Sequence, residues 1–367
     1  MSRFSGFALM MESNQLEGYL RNDFLDEADA PLPSIPLADE SHIAWWRSWN
    51  ADGRIDCRML AGQLPQLLFG VETGISKSDA YHRAILGGDV QAHPSGEHLP
   101  KGSIEFAVTA HWAGSLPVLT MRDRDLFEML FRVLGFKGEP IDIAPSVHAL
   151  LVVGLPNPGR LVATREAWER GELADDPLVT GCSTWGEAIG ALDRGDPARF
   201  RDRILLVHEG PYASLAAEDV GVGLTESEWA VQSEIIRQEH EFAHYATRRL
   251  FGSMRFNLHD ELIADCMGFT KAFGAFDAEL FLNALGVVPG KLPDATARAW
   301  TYVRELSGED VVAVCDLAAA AAHHVQAWLE HDGVPERPEL LRALARVDLS
   351  TLAGSAALIK LRQAVAS

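Results

Sequence analysis

Two motifs in the second half of the chain constrain its fold more than any other feature. Residues 240–244 read HEFAH and residues 261–265 read ELIAD. Side chains four residues apart lie on one face of an α-helix, one turn from each other. His240 and His244 should therefore project together from one helix, and Glu261 and Asp265 from a second. The pattern predicts two helices that bring four ligand-type side chains within reach of one another.

Residues typical of helix ends flank both motifs. Thr225, with Glu228 three residues later, forms a capping box before the first helix. Gly252 is a natural end for that helix, and Asn257 is a natural N-cap for the second. A compact turn must join the two, so we expect a helical hairpin over about residues 225–275.

The histidine pair has the spacing of a metal site. Two imidazoles one turn apart can hold one ion, and a catalytic zinc needs a third protein ligand and an open fourth position. Glu241 is rotated by about 100° from His240 around the helix, near the ion but off the ligand axis. That position suits a general base acting on water. Two buried histidines and two buried carboxylates would also be costly without an ion, which favours a bound metal.

The second helix supplies the third ligand. We assign Glu261 to that role, and we assign Asp265 to the support of one ligand imidazole, because such a carboxylate fixes the ring and its tautomer. His259, Asp260 and Asp265 stay open as alternatives for the third ligand, since a slipped helix register would bring one of them into its place.

Together the two motifs resemble the gluzincin branch of the zinc metallopeptidases, over about residues 225–275. The resemblance implies one zinc ion per chain, with His240, His244 and Glu261 as ligands. It also implies Glu241 as general base and Asp265 as supporting carboxylate, in an enzyme that hydrolyses peptide bonds with metal-activated water. Sixteen residues separate the second histidine from the glutamate, a few fewer than in thermolysin-like members.

Four further residues are candidates for contacts to an oxyanion or to the substrate. A tetrahedral oxyanion usually needs a donor in addition to a metal. Tyrosine, arginine and histidine side chains can supply one, although each can equally serve packing or an ion pair. The candidates are Tyr212, Tyr245, Arg248 and His259.

Charge and composition narrow the classes of partner. The chain has 52 acidic and 32 basic side chains and a formal net charge of −20, which argues against nucleic-acid binding. We find no apolar stretch of about 20 residues for a membrane span, no convincing secretory signal, and no C-x-x-C pair among the four cysteines. We expect a cytoplasmic enzyme acting on a peptide or protein substrate, with neither nucleic acid nor membrane as partner. Its oligomeric state is open.

The patterning predicts an α+β fold in three parts. Residues 1–40 contain many acids and end in a group of prolines, so they should form an extended lead-in. Residues 41–220 should form a mixed α/β region. Residues 221–367 should form a mainly helical, zincin-like half that carries both motifs.

Individual elements follow from periodicity. Strands are predicted at about 104–110, 147–153 and 204–207, with helices at 122–134 and 184–192. In the last part, helices are predicted at 226–250, 258–273, 277–285, 294–306, 309–331 and 338–346.

Two other functions use the same residues. A non-catalytic zinc protein could keep the helical hairpin as a structural element and act by binding a partner. A zinc hydrolase could instead cleave an amide that is not a peptide. Against the first, Glu241 is unnecessary for a structural site yet stands in the catalytic place.

Overall fold

A computed structural model describes residues 15–22, 24, 33–49, 53–89, 93–96, 99–221 and 223–366. The chain forms two compact units, each with its own core. The sheet unit comprises residues 36–143 and 149–209, and the helical unit comprises residues up to 35, residues 144–148 and residues from 210 onward. The α+β class with a helical C-terminal half is confirmed.

The divisions that we predicted at residues 40 and 220 differ from these unit boundaries. The chain enters the helical unit at residue 210 because the next residues bind to its first long helix. The backbone N–H of Tyr212 donates to Ser233 Oγ (2.9 Å), and Arg237 Nη2 donates to the carbonyl oxygen of Gly210 (2.6 Å).

The sheet unit contains five strands in the order β1-β2-β3-β5-β4. Strands β3 and β5 are parallel, and the other neighbours are antiparallel. The strands are β1 (Gly53–Asp56), β2 (Ser103–Thr109), β3 (Leu116–Met121), β4 (Ala149–Pro156) and β5 (Arg201–His208). The three predicted strands are confirmed as β2, β4 and β5. Strands β1 and β3 were not predicted. Strand β1 has only four residues, and the apolar run of β3 is interrupted by Pro117, which argues against a strand.

Short helices complete this unit. They are α1 (Ser41–Ser48), α2 (Cys57–Gln63), α3 (Asp79–Tyr81), α4 (Arg124–Leu130), α5 (Pro158–Glu169) and α6 (Trp185–Gly195). A buried polar cluster ties two of them to the sheet. Asp202 of β5 pairs with Arg160 of α5 and accepts hydrogen bonds from Trp46 Nε1 (2.8 Å) and Asn157 Nδ2 (2.7 Å).

The helical unit contains the motif helices α7 (Glu226–Phe251) and α8 (Leu258–Phe273). It continues with α9 (Ala278–Leu285), α10 (Gly308–Asp332), α11 (Arg337–Ala345), α12 (Leu349–Ala353) and α13 (Ala357–Ala366). Five of the six helices predicted here are confirmed within a few residues. Within the described part of the chain, no helix combines the length and apolar character needed to cross a membrane.

The predicted helix at 294–306 was wrong. Only one turn of 3₁₀-helix, Arg298–Thr301, forms there. From this turn the side chain of Arg298 donates to the hydroxyl of Tyr212 and to Glu261 of α8.

Within the lead-in predicted for residues 1–40, the described residues 33–40 form neither helix nor strand, whereas an earlier part is helical and packed. Residues 15–20 are helical, and Phe24 is buried against the rings of Phe251 and His259. The hydroxyl of Tyr19 accepts a hydrogen bond from the backbone N–H of Leu258 (2.9 Å), at the start of α8. Apolar and aromatic residues among the acids therefore anchor the segment on the helical unit.

A glycine allows α7 and α8 to approach closely. A Cβ atom added at Gly268 of α8 would lie 2.8 Å from the carbonyl oxygen of Ile236 on α7. This contact sets how the two motif faces meet.

We expect Gly268→Ala to lower the free energy of unfolding by about 1–3 kcal/mol, because backbone atoms must move to admit the methyl group. Chemical denaturation measures the change. Gly18→Ala is the matched control, since a Cβ there meets no atom within 4 Å and residue 18 is helical. That control should be neutral or slightly stabilising. Equal stability of the two variants would contradict the close contact between Gly268 and the backbone of Ile236.

Candidate metal centre

The ends of α7 and α8 are formed as the sequence predicted. Thr225 accepts from the backbone N–H of Glu228, whose carboxylate accepts from the backbone N–H of Thr225, so the capping box is present. Gly252 ends α7 in the left-handed conformation with φ 65°. Asn257 caps α8 by accepting from the backbone N–H of Asp260 (3.0 Å). These local signals fix where each motif falls on its helix.

Three predicted ligands meet at one point. The Nε2 atoms of His240 and His244 lie 3.1 Å apart. Glu261 Oε2 lies 3.5 Å from Nε2 of His240, and Oε1 lies 3.4 Å from Nε2 of His244. All three side chains are buried, and among the described residues they form the one cluster of His, Cys, Asp or Glu with metal-site spacing.

This spacing fits zinc. Ligands about 2.1 Å from a tetrahedral zinc lie about 3.4 Å from one another. The two Nε2 atoms lie 3.1 Å apart, and each lies 3.4–3.5 Å from the nearer oxygen of the Glu261 carboxylate. Two imidazoles with one carboxylate are also a donor set that suits zinc better than calcium or magnesium. The residues therefore fit the ion that the motif implies.

Asp265 orients the first imidazole. Its Oδ1 lies 2.6 Å from Nδ1 of His240. A carboxylate can only accept, so Nδ1 carries the proton and the lone pair of Nε2 faces the cluster. The Tyr212 hydroxyl donates to the same Asp265 oxygen and lies 3.2 Å from Nδ1. Tyr212 thus stands behind the histidine, on the side away from the three ligand atoms.

Strained backbone carries Tyr212 into this position. The two residues after it, Ala213 (φ 52°) and Ser214 (φ 61°), both adopt the left-handed conformation that favours glycine. The Ser214 hydroxyl is held by His148 Nε2 (3.0 Å) and by the carbonyl oxygen of Pro145 (3.2 Å). Strain of this kind persists only where surrounding contacts enforce it, and here those contacts place the phenol.

Arg298 supplies a buried positive charge beside the two carboxylates. Its Nη2 donates to Glu261 Oε2 (2.5 Å), its Nη1 donates to the Tyr212 hydroxyl (3.2 Å), and Nη1 lies 3.5 Å from Asp265 Oδ2. Its Nε donates to the hydroxyl of Tyr302 (3.1 Å), which is also hydrogen-bonded to Glu261.

Arg298 therefore compensates part of the buried negative charge that, from the sequence alone, favours a bound metal. With neutral imidazoles, Glu261 and Asp265 against Arg298 leave one net negative charge, which still favours a cation.

The pKa values show the same attraction for positive charge. Burial alone would lower the pKa of His244, but the hydrogen bond and charge of Glu261 raise it to about 9. Burial would raise the pKa of Glu261, but Arg298 and the two histidines hold it well below its usual range. Without a metal ion, the cluster retains a proton at the position where a cation would bind. Metal binding should release that proton.

Glu241 is next to the cluster without belonging to it. Its side chain is partly exposed, and its charge contributes to the raised pKa of His244. In the described part of the chain, no residue forms a hydrogen bond with its carboxylate. The charge of Glu241 also acts on the buried guanidinium of Arg237 on the same helix.

The other predicted contacts point elsewhere. Tyr245 is fully buried with its ring beside Arg249, whose Nη1 donates to the phenol oxygen (2.9 Å). Arg248 lies in the last turn of α7. Asp260 is buried, and burial raises its pKa to about 8 although a backbone hydrogen bond from Arg255 acts in the opposite direction.

His259 faces a different helix. Its Nε2 donates to the carbonyl oxygen of Leu344 (3.1 Å) at the end of α11. Burial lowers the pKa of His259 to about 4. It is placed as a neutral packing residue, not as a neighbour of the ligand atoms.

This pKa predicts an acid-sensitive contribution to stability. The folded value lies below the ordinary 6.5, so the stabilisation is present above pH 6.5 and is lost as the pH falls towards 4. At pH 4.5 the loss should be on the order of 2–3 kcal/mol. Urea unfolding at pH 7 and pH 4.5 should show a smaller pH dependence for His259→Gln than for the wild type. An identical change in the free energy of unfolding between pH 7 and pH 4.5 for the two proteins would contradict the prediction.

Comparison with models of known protein families identifies the family of this chain. A model described as "Family of unknown function (DUF7005)" matches residues 7–356. The chain belongs to the DUF7005 family. No match exists among curated proteins or solved structures. The description of the DUF7005 family names no biochemical activity.

Within this DUF7005 chain, sequence patterns did not indicate Arg298 or Tyr302. Both lie more than 30 residues beyond Glu261 in a stretch without a motif. The one available signal was indirect: two carboxylates buried on one helix face require a nearby positive charge.

Proposed function

We propose that this protein is a zinc-dependent metallopeptidase. The observation that carries the proposal is the meeting of His240, His244 and Glu261 with separations of 3.1–3.5 Å between donor atoms. The motifs predict this cluster, and the imidazole nitrogens lie 3.1 Å from each other and within 3.5 Å of a carboxylate oxygen each, close to the separations between ligands of a tetrahedral zinc.

Each residue of the site would have its own role in the reaction. Zinc, when bound by the three ligands, supplies Lewis-acid chemistry that acidifies water and polarises a carbonyl group. Glu241 takes the proton from the attacking water on a carboxylate oxygen and returns it to the leaving nitrogen. Asp265 and Tyr212 keep the proton of His240 on Nδ1, so that Nε2 stays available.

The number of ligands favours catalysis over a purely structural site. Structural zinc is usually enclosed by four protein ligands, whereas a catalytic site keeps one position open. Within the residues that the structure describes, three side chains gather and no fourth joins them. A partly exposed carboxylate at Glu241 supports the same choice.

The first experiment combines metal analysis with substrate profiling. Purified protein and the His240→Ala variant are assayed for metal by mass spectrometry, and then for cleavage of a mixed peptide library. We expect one zinc per chain, lost in the variant, and cleavage that depends on the metal. Absence of zinc uptake by the wild type would reject the proposal. Zinc without peptide cleavage would favour a structural site or a non-peptide amide as substrate.

A further inference from the structure

The guanidinium of Arg298 holds one oxygen of the third predicted ligand. Its Nη2 lies 2.5 Å from Glu261 Oε2, which also lies 3.5 Å from Nε2 of His240, and Glu261 Oε1 faces Nε2 of His244 at 3.4 Å. The Arg298 side chain is 11% exposed and that of Glu261 is 1% exposed, so little water competes for either group. The carboxylate is therefore fixed in one orientation before any ion arrives.

The same guanidinium reaches the group that orients the first histidine. Nη1 donates to the Tyr212 hydroxyl (3.2 Å) and lies 3.5 Å from Asp265 Oδ2. The rings of Tyr212 and Tyr302 lie 5.5 and 5.6 Å from its central carbon. One planar side chain thus connects Glu261 with the Asp265–Tyr212 pair behind His240.

We propose that Arg298 is a positioning residue of the metal centre, which fixes the carboxylate of Glu261 relative to the Asp265–Tyr212 pair. This inference rests on the proposed zinc site. A planar fork with several donors can hold two partners at once, whereas a lysine ammonium acts as a point charge. The role therefore belongs to the shape of arginine as well as to its charge.

The two possible roles of Arg298, as a charge alone or as a positioning residue, predict opposite effects of its mutation on zinc affinity. If Arg298 acted only through its charge, its removal would relieve repulsion of the incoming ion and zinc would bind more tightly. Lysine would then behave like the wild type. If Arg298 positions the ligand, both Arg298→Gln and Arg298→Lys should weaken zinc binding, because neither reproduces the fork.

Arg337 provides a matched control. It also connects α7 and α8, since it pairs with Glu239 of α7 and donates to Thr270 Oγ1 (2.7 Å) and the carbonyl oxygen of Met267 (2.6 Å) on α8. These contacts do not involve the three ligands. Arg337→Gln thus tests whether the loss of any partly buried arginine between these helices is enough to weaken zinc binding.

The experiment measures the zinc dissociation constant by competition with a chromophoric chelator, for the full chain and all three variants. Losing an outer partner of a ligand typically costs 10–100-fold in metal affinity. We expect about that loss for Arg298→Gln, a loss of about 10-fold or more for Arg298→Lys, and a change under about 3-fold for Arg337→Gln. The visible spectrum of the cobalt(II)-loaded protein should also shift in both Arg298 variants, because it reports the arrangement of the ligands.

Three outcomes would overturn the inference. Unchanged or tighter zinc binding by Arg298→Gln, with an unchanged cobalt spectrum, would reject a positioning role while leaving the zinc site intact. An equal loss in Arg337→Gln would show a general effect of loosening the two helices. A wild-type protein that binds no zinc would reject the proposed function itself, and this inference with it.

Discussion

Replacement of Glu241 by glutamine should abolish peptide hydrolysis while leaving zinc content near one per chain. The amide cannot take a proton from water, so the rate should fall by about 10²–10⁴-fold, the range typical of losing a general base. Metal content should not change, because Glu241 is not one of the three clustered ligands. The test compares initial cleavage rates with metal content measured on the same samples.

Glu234→Gln serves as the control for this prediction. It makes the same chemical change on the same helix, at a residue whose carboxylate accepts from Gln238 Nε2 (3.1 Å). Its activity should stay within about two-fold of the wild type, as for most substitutions away from a site. Full activity in Glu241→Gln would show that another group moves the proton, and the mechanism proposed here would fail.

Loss of the third ligand should have the largest effect on metal binding. Glu261→Ala should reduce zinc affinity by more than the roughly 10–100-fold typical of losing an outer partner, because a coordinating oxygen is removed. It also leaves Arg298 buried beside the cluster without its nearest carboxylate. Dialysis against graded chelator concentrations, followed by metal analysis, measures the change.

His259→Ala is the informative comparison, because His259 was an alternative for the same role. Its imidazole donates to the carbonyl oxygen of Leu344 and lies outside the ligand cluster, so zinc affinity at neutral pH should change by less than about 10-fold. A larger loss for His259→Ala than for Glu261→Ala would reassign the third ligand.

Local features of the site could be predicted from sequence, and features that depend on distant parts of the chain could not. The ends of α7 and α8 follow from capping residues within a few positions of each helix, so both motif faces were predictable. Arg298 reaches Glu261 across 37 positions from a stretch without regular periodicity. Its place depends on how the chain returns to the site, which no local pattern encodes.

The strands of the sheet also differ in whether the sequence predicts them. The uninterrupted apolar run at residues 204–207 predicts β5, whereas Pro117 interrupts the run that forms β3. Its neighbour β5 lies about 80 residues later in the chain, and this pairing brings the two central strands together. Strand order of this kind is set by packing between distant segments.

The placement of Glu261 and Asp265 on one helix makes the centre sensitive to a slip of a single residue. A shift of α8 by one position would bring Leu262 and Cys266 to the places of the ligand and the orienting carboxylate. In that register the cluster would lose its third side chain, and Nδ1 of His240 would lose its acceptor. A shift in the opposite direction would bring Asp260 to the place of the ligand but Ala264 to that of the orienting carboxylate, so Nδ1 of His240 loses its acceptor in either register.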